Sequence, residues 1–292
     1  MALTAWFNGR ELPSAEGAGR AEDTLPASLL SDRINAFGDG VFETMRLERG
    51  VIPLLDWHLA RLRRSLAALD ITVDEQLVQD DIDRARKKSL ACEGPQVLKL
   101  LLSRGSSIQG YAAAESGSHR ALFLLPLQRA AKHSGRAMIC DFRLSSQPQL
   151  AGIKHCNRLD QVLARREVSA AEMDEGLLRD QAGNVVEAVS ANLFVLQGDR
   201  LLTPPVVDCG VSGVMRAFLF DTIDALSDLR IVESPVDLSL LRTADAVLLS
   251  SATQGLRCLS SCRFPDGETV CWRENAVLSA LQLAVEDRLT VR

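Results

Sequence analysis

The chain has 292 residues, of which 47% are hydrophobic and 24% charged, and carries a formal net charge of −5. That length buries roughly 75% of the unfolded surface in one or two cores, and the composition excludes a disordered chain. The acidic balance argues against a general nucleic-acid-backbone binder, which needs a basic stripe, and leaves room for a small anion in a local basic pocket.

Trp6 and Phe7 open a strand, and Asn8-Gly9 is a type I′ hairpin signal. Residues 13–31 are polar and rich in small side chains and read as a loop. In FGDGVFETMRLERGVIPL, Gly38 and Gly40 flank Asp39. A β-prone run follows, with a turn at Arg49-Gly50 and a second strand. Leu55, Leu59, Leu62, Leu66 and Leu69 recur at helical spacing and predict a helix over 55–69 with one apolar face. His58, Arg61 and Ser65 lie on an adjacent face. Residues 74–90 read as a more polar helix, 97–105 and 120–127 as buried strands, and 128–135 as a linker.

Beyond the linker the pattern restarts. RAMICDF reads as a strand and SSQPQLAGIKHCN as a long loop. RLDQVLARREVSAAEM reads as a helix with Leu159, Val162 and Leu163 inward. Short strands follow in GLLRD, VVEAVSANLFVL and DRLLTPP, with a turn at Ala182-Gly183-Asn184. VSGVMRAFLFDTIDAL is a helix opened by Gly213. LRIVES, ADAVLLSSATQGLRCL and ETVCWR are strands, and NAVLSALQLAVEDRL is the last helix. Hairpins mixed with scattered helices, and no fixed-period repeat, predict an α+β fold rather than a doubly wound sheet or a solenoid. Two domains are expected: 1–127, the smaller, and 136–292, the larger.

No window reaches about 18 uncharged apolar residues, so no membrane span is expected. MALTAWFNGRELP lacks a basic stretch leading into an apolar core, so no secretory signal is expected either. The cysteines, at 92, 140, 156, 209, 258, 262 and 271, form no CxxC pair, and the histidines do not cluster with them. That pattern fits neither a zinc site nor a disulfide framework, and points to free thiols in a reducing cytoplasm.

No GxSxG, HExxH or GxxxxGK[ST] motif is present. The informative stretch is LAGIKHCNRLDQVLARRE. Lys154 stands in a polar loop before a helix. Most loop lysines are solvated charges; the functional alternative is a Schiff-base lysine. Glu187 is an acid inside an apolar strand pattern. It reads either as a strand-edge carboxylate facing water or as a buried one that needs a cationic partner, and a protonated pyridine nitrogen would be such a partner. Gly210 to Arg216 place two glycines before a helix start, so the N–H groups of Val214 and Met215 would face an anion. Arg61 could add a bidentate phosphate contact or be a solvated surface arginine. Ser250, Ser251 and Thr253 offer hydroxyls at a strand end. Asp39 and His58 could border a pocket, against the simpler roles of turn and helix-surface residues.

Taken together, FGDGVFETMR, HLARL, the Lys154 loop, the Glu187 strand with Asn192, and GVSGVMR followed by ADAVLLSSATQG resemble, in order and spacing, the fold-type IV pyridoxal phosphate (PLP) enzymes. That family includes branched-chain and D-amino acid aminotransferases and aminodeoxychorismate lyase. Lys154-His-Cys-Asn-Arg-Leu-Asp-Gln is similar to the lyases' KHxNRLxQ pattern, and Ser103-Arg104-Gly105-Ser106 with Gly110-Tyr111 to their SRGxxxxGY segment. The Asn-Tyr pair usual after the lysine in branched-chain aminotransferases is missing here, where Asn157-Arg158 stands. The resemblance implies a two-domain α+β fold and pyridoxal 5′-phosphate as cofactor. It implies Lys154 as the catalytic Schiff-base lysine and Glu187 as partner of the pyridine nitrogen. Arg61, Ser190, Asn192, Val214, Met215, Ser251 and Thr253 would complete the cofactor site, with Ala252 standing where many relatives have Thr. It further implies a cytoplasmic homodimer acting on a small substrate with carboxylates, for which Arg46, Arg104 and Arg158 are candidate ligands. Two activities follow: a lyase releasing pyruvate and forming p-aminobenzoate, or an aminotransferase on branched-chain or D-amino acids. No nucleic acid, membrane or metal is expected.

Overall fold

The computed structural model describes residues 3–12, 27–107, 110–112, 117–128 and 135–290. Most of the loop expected over 13–31, and of the linker expected over 128–135, lies outside them. The chain divides into two compact units, Met1–Gln128 with Ile153–Asn157, and Arg129–Gly152 with Arg158–Thr290. The Lys154 segment, expected with the second domain, therefore belongs to the first unit.

The first unit contains β1 (Thr4–Phe7), β2 (Arg10–Glu11), α1 (Ala27–Leu30), α2 (Arg33–Phe37), β3 (Gly40–Leu47), α3 (Leu55–Ala68), α4 (Glu75–Ser89), β4 (Gln96–Ser103) and β5 (His119–Pro126). Asn8 and Gly9, both at positive φ, make the tight turn between β1 and β2. The strands form one antiparallel sheet in the order β2-β1-β5-β4-β3. Leu98, Leu100 and Leu102 alternate inward along β4, and Leu122 and Leu124 along β5, the period of a half-buried strand. They meet Leu62 and Leu66 of α3 and Val78 and Ile82 of α4 in one core. Asp74 caps α4 by accepting from Gln76 and Leu77 N–H, and Arg86, Lys87 and Lys88 occupy its last turn, where cations oppose the helix dipole. The loop expected through residue 31 gives way to α1 at Ala27, and α2 follows, capped by Asp32.

The second unit contains β6 (Gly135–Arg143), α5 (Leu159–Ala170), β7 (Glu175–Arg179), β8 (Val185–Ala188), β9 (Asn192–Gln197), β10 (Arg200–Thr203), α6 (Val214–Leu226), β11 (Arg230–Glu233), α7 (Leu238–Arg242), β12 (Ala246–Ser251), β13 (Gly255–Arg263), β14 (Thr269–Cys271) and α8 (Ala276–Leu289). The sheet runs β11-β10-β9-β12-β13-β6-β7-β8, with β14 on β13, and an added β8–β9 pairing closes it on itself. Its interior is filled by Ile139, Leu177, Val185, Leu193, Val195, Val247, Leu249 and Leu259. α5 buries Ala164 and Val168. Leu159 and Val162, expected inward, are 67% and 54% exposed, because the buried face of α5 is the one that meets Cys140, Leu144 and Leu178. Among the described residues no helix is long and apolar enough to cross a membrane.

Gly176 of β7 shows how closely this unit is packed. A Cβ there would lie 2.5 Å from both Cys140 Sγ and Val168 Cγ2. Gly176→Ala is therefore expected to destabilise the fold by about 1–3 kcal/mol through overpacking. A denaturant titration would check this; an unchanged midpoint would mean that α5 can shift away at no cost.

Candidate active site

In the first unit, the segment carrying Lys154 runs along the outer edge of β3. Phe42 N–H donates to Lys154 O and Cys156 N–H to Gly40 O, both at 2.9 Å, with a bridge between Val41 and His155. Lys154 Nζ lies 4.4 Å from the Phe42 ring centroid, within cation–π range. Gly38 caps α2 in the left-handed region with φ 64°. A Cβ there would fall 2.4 Å from Asn157 Oδ1, and Asn157 Nδ2 donates to Gly38 O. Position 38 therefore has to be glycine, both for its backbone and for the approach of Asn157.

One turn of chemistry lies behind β3. Glu43 is 1% exposed. Arg61 Nε donates to its Oε1 at 2.8 Å and Nη2 to its Oε2 at 2.5 Å, and His58 Nδ1 stands 2.6 Å from Oε2. Burial pushes the Glu43 carboxyl up, but the Arg61 guanidinium, followed by the His58 contact, holds it at about 2. Burial pushes the His58 imidazole below its ordinary value, with the charges of Arg61 and Lys154 acting in the same direction. His58 is thus no helix-surface residue, and Arg61 no solvated arginine: α3 buries both on a polar face next to its leucines. Glu43 was not among the expected site residues. The signal was available, as an acid at an inward position of an apolar strand with Arg61 downstream.

Two further candidates sit in this unit. Arg46 is 2% exposed, with Nη2 at 3.3 Å from Glu48. Arg104 gives Nε and Nη2 to Asp39 and Nη1 and Nη2 to the carbonyls of Asp70 and Leu69. Those bonds make it a strut between the α3 C-terminus and the turn before β3. Burial raises the Asp39 carboxyl, but Arg104 and Arg33 hold it below its usual range.

In the second unit, Glu187 sits on β8, 4% exposed, paired with Leu178 of β7 and Asn192 of β9. It is a buried carboxylate rather than a strand-edge one. Its Oε2 accepts from Val211 N–H at 2.9 Å, while Asn192 Nδ2 donates to Val211 O at 2.7 Å. At Gly213 a Cβ would lie 1.8 Å from Asn192 Oδ1, and at Gly210 it would lie 2.9 Å from Val186 Cγ1. Both glycines are required by close approach. They lead into α6, which starts at Val214 with no side-chain cap and no acid in its first turn. Val214 and Met215 are buried there. Ser250 Oγ, also buried, has no hydrogen-bond partner among the described residues. Ser251 Oγ accepts from Gln254 N–H. Ser190 Oγ donates to Glu175 instead of facing this loop. Thr253 follows β12 in the turn to β13. Arg158 sits at the N-cap of α5, on a cavity of about 540 Å³ that Arg165, Arg166 and Ser190 also line.

These features suit a phosphorylated pyridine. An uncapped helix N-terminus behind two sterically obligatory glycines suits a phosphate, Ser250 has a hydroxyl to offer it, and Glu187 suits a protonated ring nitrogen.

A family model for amino-transferase class IV matches residues 40–262, and the chain belongs to that family. It is similar to the crystal structure of 4-amino-4-deoxychorismate lyase from Pseudomonas aeruginosa, with TM-score 0.79 and 34% identity, covering 98% of this chain and 97% of that one. It is 27% identical over 248 residues to the aminodeoxychorismate lyase of Vibrio harveyi, covering 82% of this chain and 89% of the relative. It also shares its fold with the PLP-bound form of a hypothetical aminotransferase from Mycobacterium tuberculosis, at TM-score 0.81 and 18% identity, covering 98% of each chain.

The Glu43 cluster couples folding to pH. The folded chain keeps Glu43 charged where the unfolded chain, at an ordinary 4.5, protonates it. Its stabilisation is present above about pH 4.5 and is lost as pH falls toward 2. His58 acts with the same sign. With its imidazole held below its ordinary value in the fold, it loses its contribution as pH drops below 6.5. Glu43→Gln is expected to cost about 3–5 kcal/mol at neutral pH by leaving Arg61 uncompensated, and to flatten the acid limb of stability between pH 4.5 and 2. Denaturant unfolding across that range would check both, and an undiminished acid limb would locate the acid sensitivity elsewhere.

Proposed function

We propose that this chain is a PLP-dependent aminodeoxychorismate lyase that forms p-aminobenzoate and pyruvate. The observation that carries the lyase over an aminotransferase is 34% identity to a 4-amino-4-deoxychorismate lyase across nearly the whole of both chains. The KHxNRLxQ-like block at Lys154 supports the same reading. Pyridoxal 5′-phosphate is the cofactor; when bound, it supplies an electron sink for a carbanion at the amine-bearing carbon.

The chain's own residues take these roles. The Lys154 amine holds the cofactor, then accepts the proton that leaves the amine-bearing ring carbon, and returns a proton to the departing three-carbon unit. One positioned acid–base group of this kind contributes about 10²–10⁴-fold in rate. Glu187 keeps the pyridine nitrogen protonated. The N–H groups of Val214 and Met215, with Ser250, Ser251, Thr253 and Asn192, hold the phosphate; Arg61 is a weaker candidate for it, because its Nε and Nη2 are bonded to Glu43. Arg158 binds a substrate carboxylate, since guanidinium pairs with carboxylate in a bidentate fork. Arg46 and Arg104 are weaker candidates for that role, and Ser190 for the cofactor site, because their described bonds are to other groups of the protein. On this reading the chain works in the cytoplasm as a homodimer.

The deciding assay supplies aminodeoxychorismate and follows p-aminobenzoate and pyruvate, then supplies D-alanine or L-leucine with 2-oxoglutarate. Aromatic product without transamination is the expected result; transamination without aromatic product would replace the lyase by an aminotransferase. Lys154→Ala is expected to abolish the near-visible absorbance of the loaded enzyme and to lower turnover by at least about 10²-fold. Glu187→Ala is expected to retain bound cofactor while losing most turnover, and near-wild-type rates in it would remove the electron-sink role.

A further inference from the structure

Asp39 stands in the turn between α2 and β3, and its neighbours on both sides receive the lysine segment. Gly38 O accepts from Asn157 Nδ2 at 3.2 Å, and Gly40 O from Cys156 N–H at 2.9 Å. Phe42 N–H, two residues on, donates to Lys154 O at 2.9 Å. Both neighbours of Asp39 are glycines, which leave a turn the widest backbone freedom. The residue between them is the one whose side chain can hold the turn in place.

The Asp39 carboxylate meets guanidinium groups from two directions. Arg33 of α2 gives Nε to Oδ2 at 2.7 Å. Arg104, just after β4, gives Nε to Oδ2 at 2.9 Å and Nη2 to Oδ1 at 3.2 Å. The Arg104 N–H also donates to Asp39 O at 3.3 Å. Arg104 is held in turn by the carbonyls of Leu69 and Asp70 at the end of α3. Both carboxylate oxygens are therefore bonded to cations anchored on separate elements, and charge-assisted bonds are about twice as strong as neutral ones. The Asp39 side chain is 15% exposed, so water screens these bonds less than it would on an open surface. The chemistry assigned to Lys154 makes no use of this carboxylate.

We propose that Asp39 is a positioning residue for Lys154: its carboxylate, pinned by Arg33 and Arg104, fixes the turn whose carbonyls hold the lysine segment. This rests on the reading that gives Lys154 the cofactor and the proton transfers.

The test uses the full-length, PLP-loaded chain, with steady-state kinetics on 4-amino-4-deoxychorismate and amide hydrogen exchange read by mass spectrometry. Asp39→Asn keeps the size of the side chain and removes its charge. It is expected to lower kcat about 10- to 100-fold, the scale of a small misplacement of a reacting group, with KM changed less than about threefold. Peptides covering residues 40–44 and 153–157 are expected to exchange at least about tenfold faster, while those of β4 and β5 keep the wild-type rate, which a general loss of stability would not spare. Asp39→Glu, which restores the charge, is expected to recover part of both kcat and protection. Asn157→Ala loosens the same turn from its other side, so it is expected to cost less kcat in the Asp39→Asn background than in the wild type. Wild-type kcat and exchange in Asp39→Asn would overturn the proposal and leave the role of Lys154 standing. Faster exchange throughout the first unit would make Asp39 a general stabiliser and overturn it likewise. Should Asp39→Asn not fold, Arg104→Lys, which keeps a cation but loses the fork, decides the same question: localised fast exchange supports the proposal and wild-type exchange overturns it. A Lys154→Ala variant that keeps the near-visible absorbance would end the reading on which the proposal rests.

Discussion

The position of Lys154 is set by main-chain hydrogen bonds on the outer edge of β3. That strand ends its sheet, and an exposed edge leaves a row of unpaired N–H and C=O groups. The segment 153–157 covers it, with Phe42 N–H and Gly40 O as the bonded groups. Because strand side chains alternate, a one-residue slip would replace the lysine by its neighbour. The glycines of FGDG are required by close approach on both sides of the strand's start. A Cβ at Gly40 would lie 2.6 Å from Leu102 O, and one at Gly38 would collide with Asn157. Lys154 is thus located by backbone geometry that its own side chain does not determine.

The same strand separates two electrostatic environments by its pleat. Val41, Glu43 and Met45 turn to the helix-covered face and are buried, whereas Phe42 turns to the side where Lys154 Nζ lies. Glu43 can remain ionised behind the sheet only because Arg61 and His58 meet it directly, since a buried charge without a partner is far costlier than the pair. In the second unit the opposite condition holds at α6. Its first turn carries Arg216, whose Nη2 is drawn to Glu233 at 2.6 Å, and no acid faces the helix dipole. A helix start left without anionic compensation, behind glycines that bring backbone close, is where an external phosphate gains most.

Local patterns in the sequence carried the elements well, and partner-dependent burial carried them poorly. The Asn8-Gly9 turn and the alternating leucines of β4 and β5 follow from backbone and period alone. The leucine stripe of α3 is equally plain, but the burial of His58 and Arg61 beside it depends on a carboxylate from another element. α5 failed for a related reason. Leu159 and Val162 are apolar enough to point inward, yet the face that meets β6 and β7 accepts the small Ala164 and the branched Val168. Hydropathy ranks side chains, while the space left by Cys140 and Gly176 decides which of them fits. The blocks around Glu187 and Gly213 stand out because each has a steric or electrostatic oddity that local structure does not need: an acid in an apolar strand, and glycines before a helix.

Arg46, Arg104 and Arg158 share positive charge near a motif, and their surroundings separate them. Arg104 has both ends of its fork on Asp39 and the α3 carbonyls, and withdrawing it would uncap a helix as well as strand a half-buried acid. Arg46 is enclosed within the first unit's core. Arg158 differs in kind. It stands at a helix N-cap with no side-chain cap bond, so a carboxylate there would meet the guanidinium and the uncapped N–H groups of α5 together, beside a cavity that two more arginines line. The proposal for Arg158 therefore rests on a guanidinium placed at a helix N-terminus beside a cavity, a property that neither charge count nor motif proximity reports.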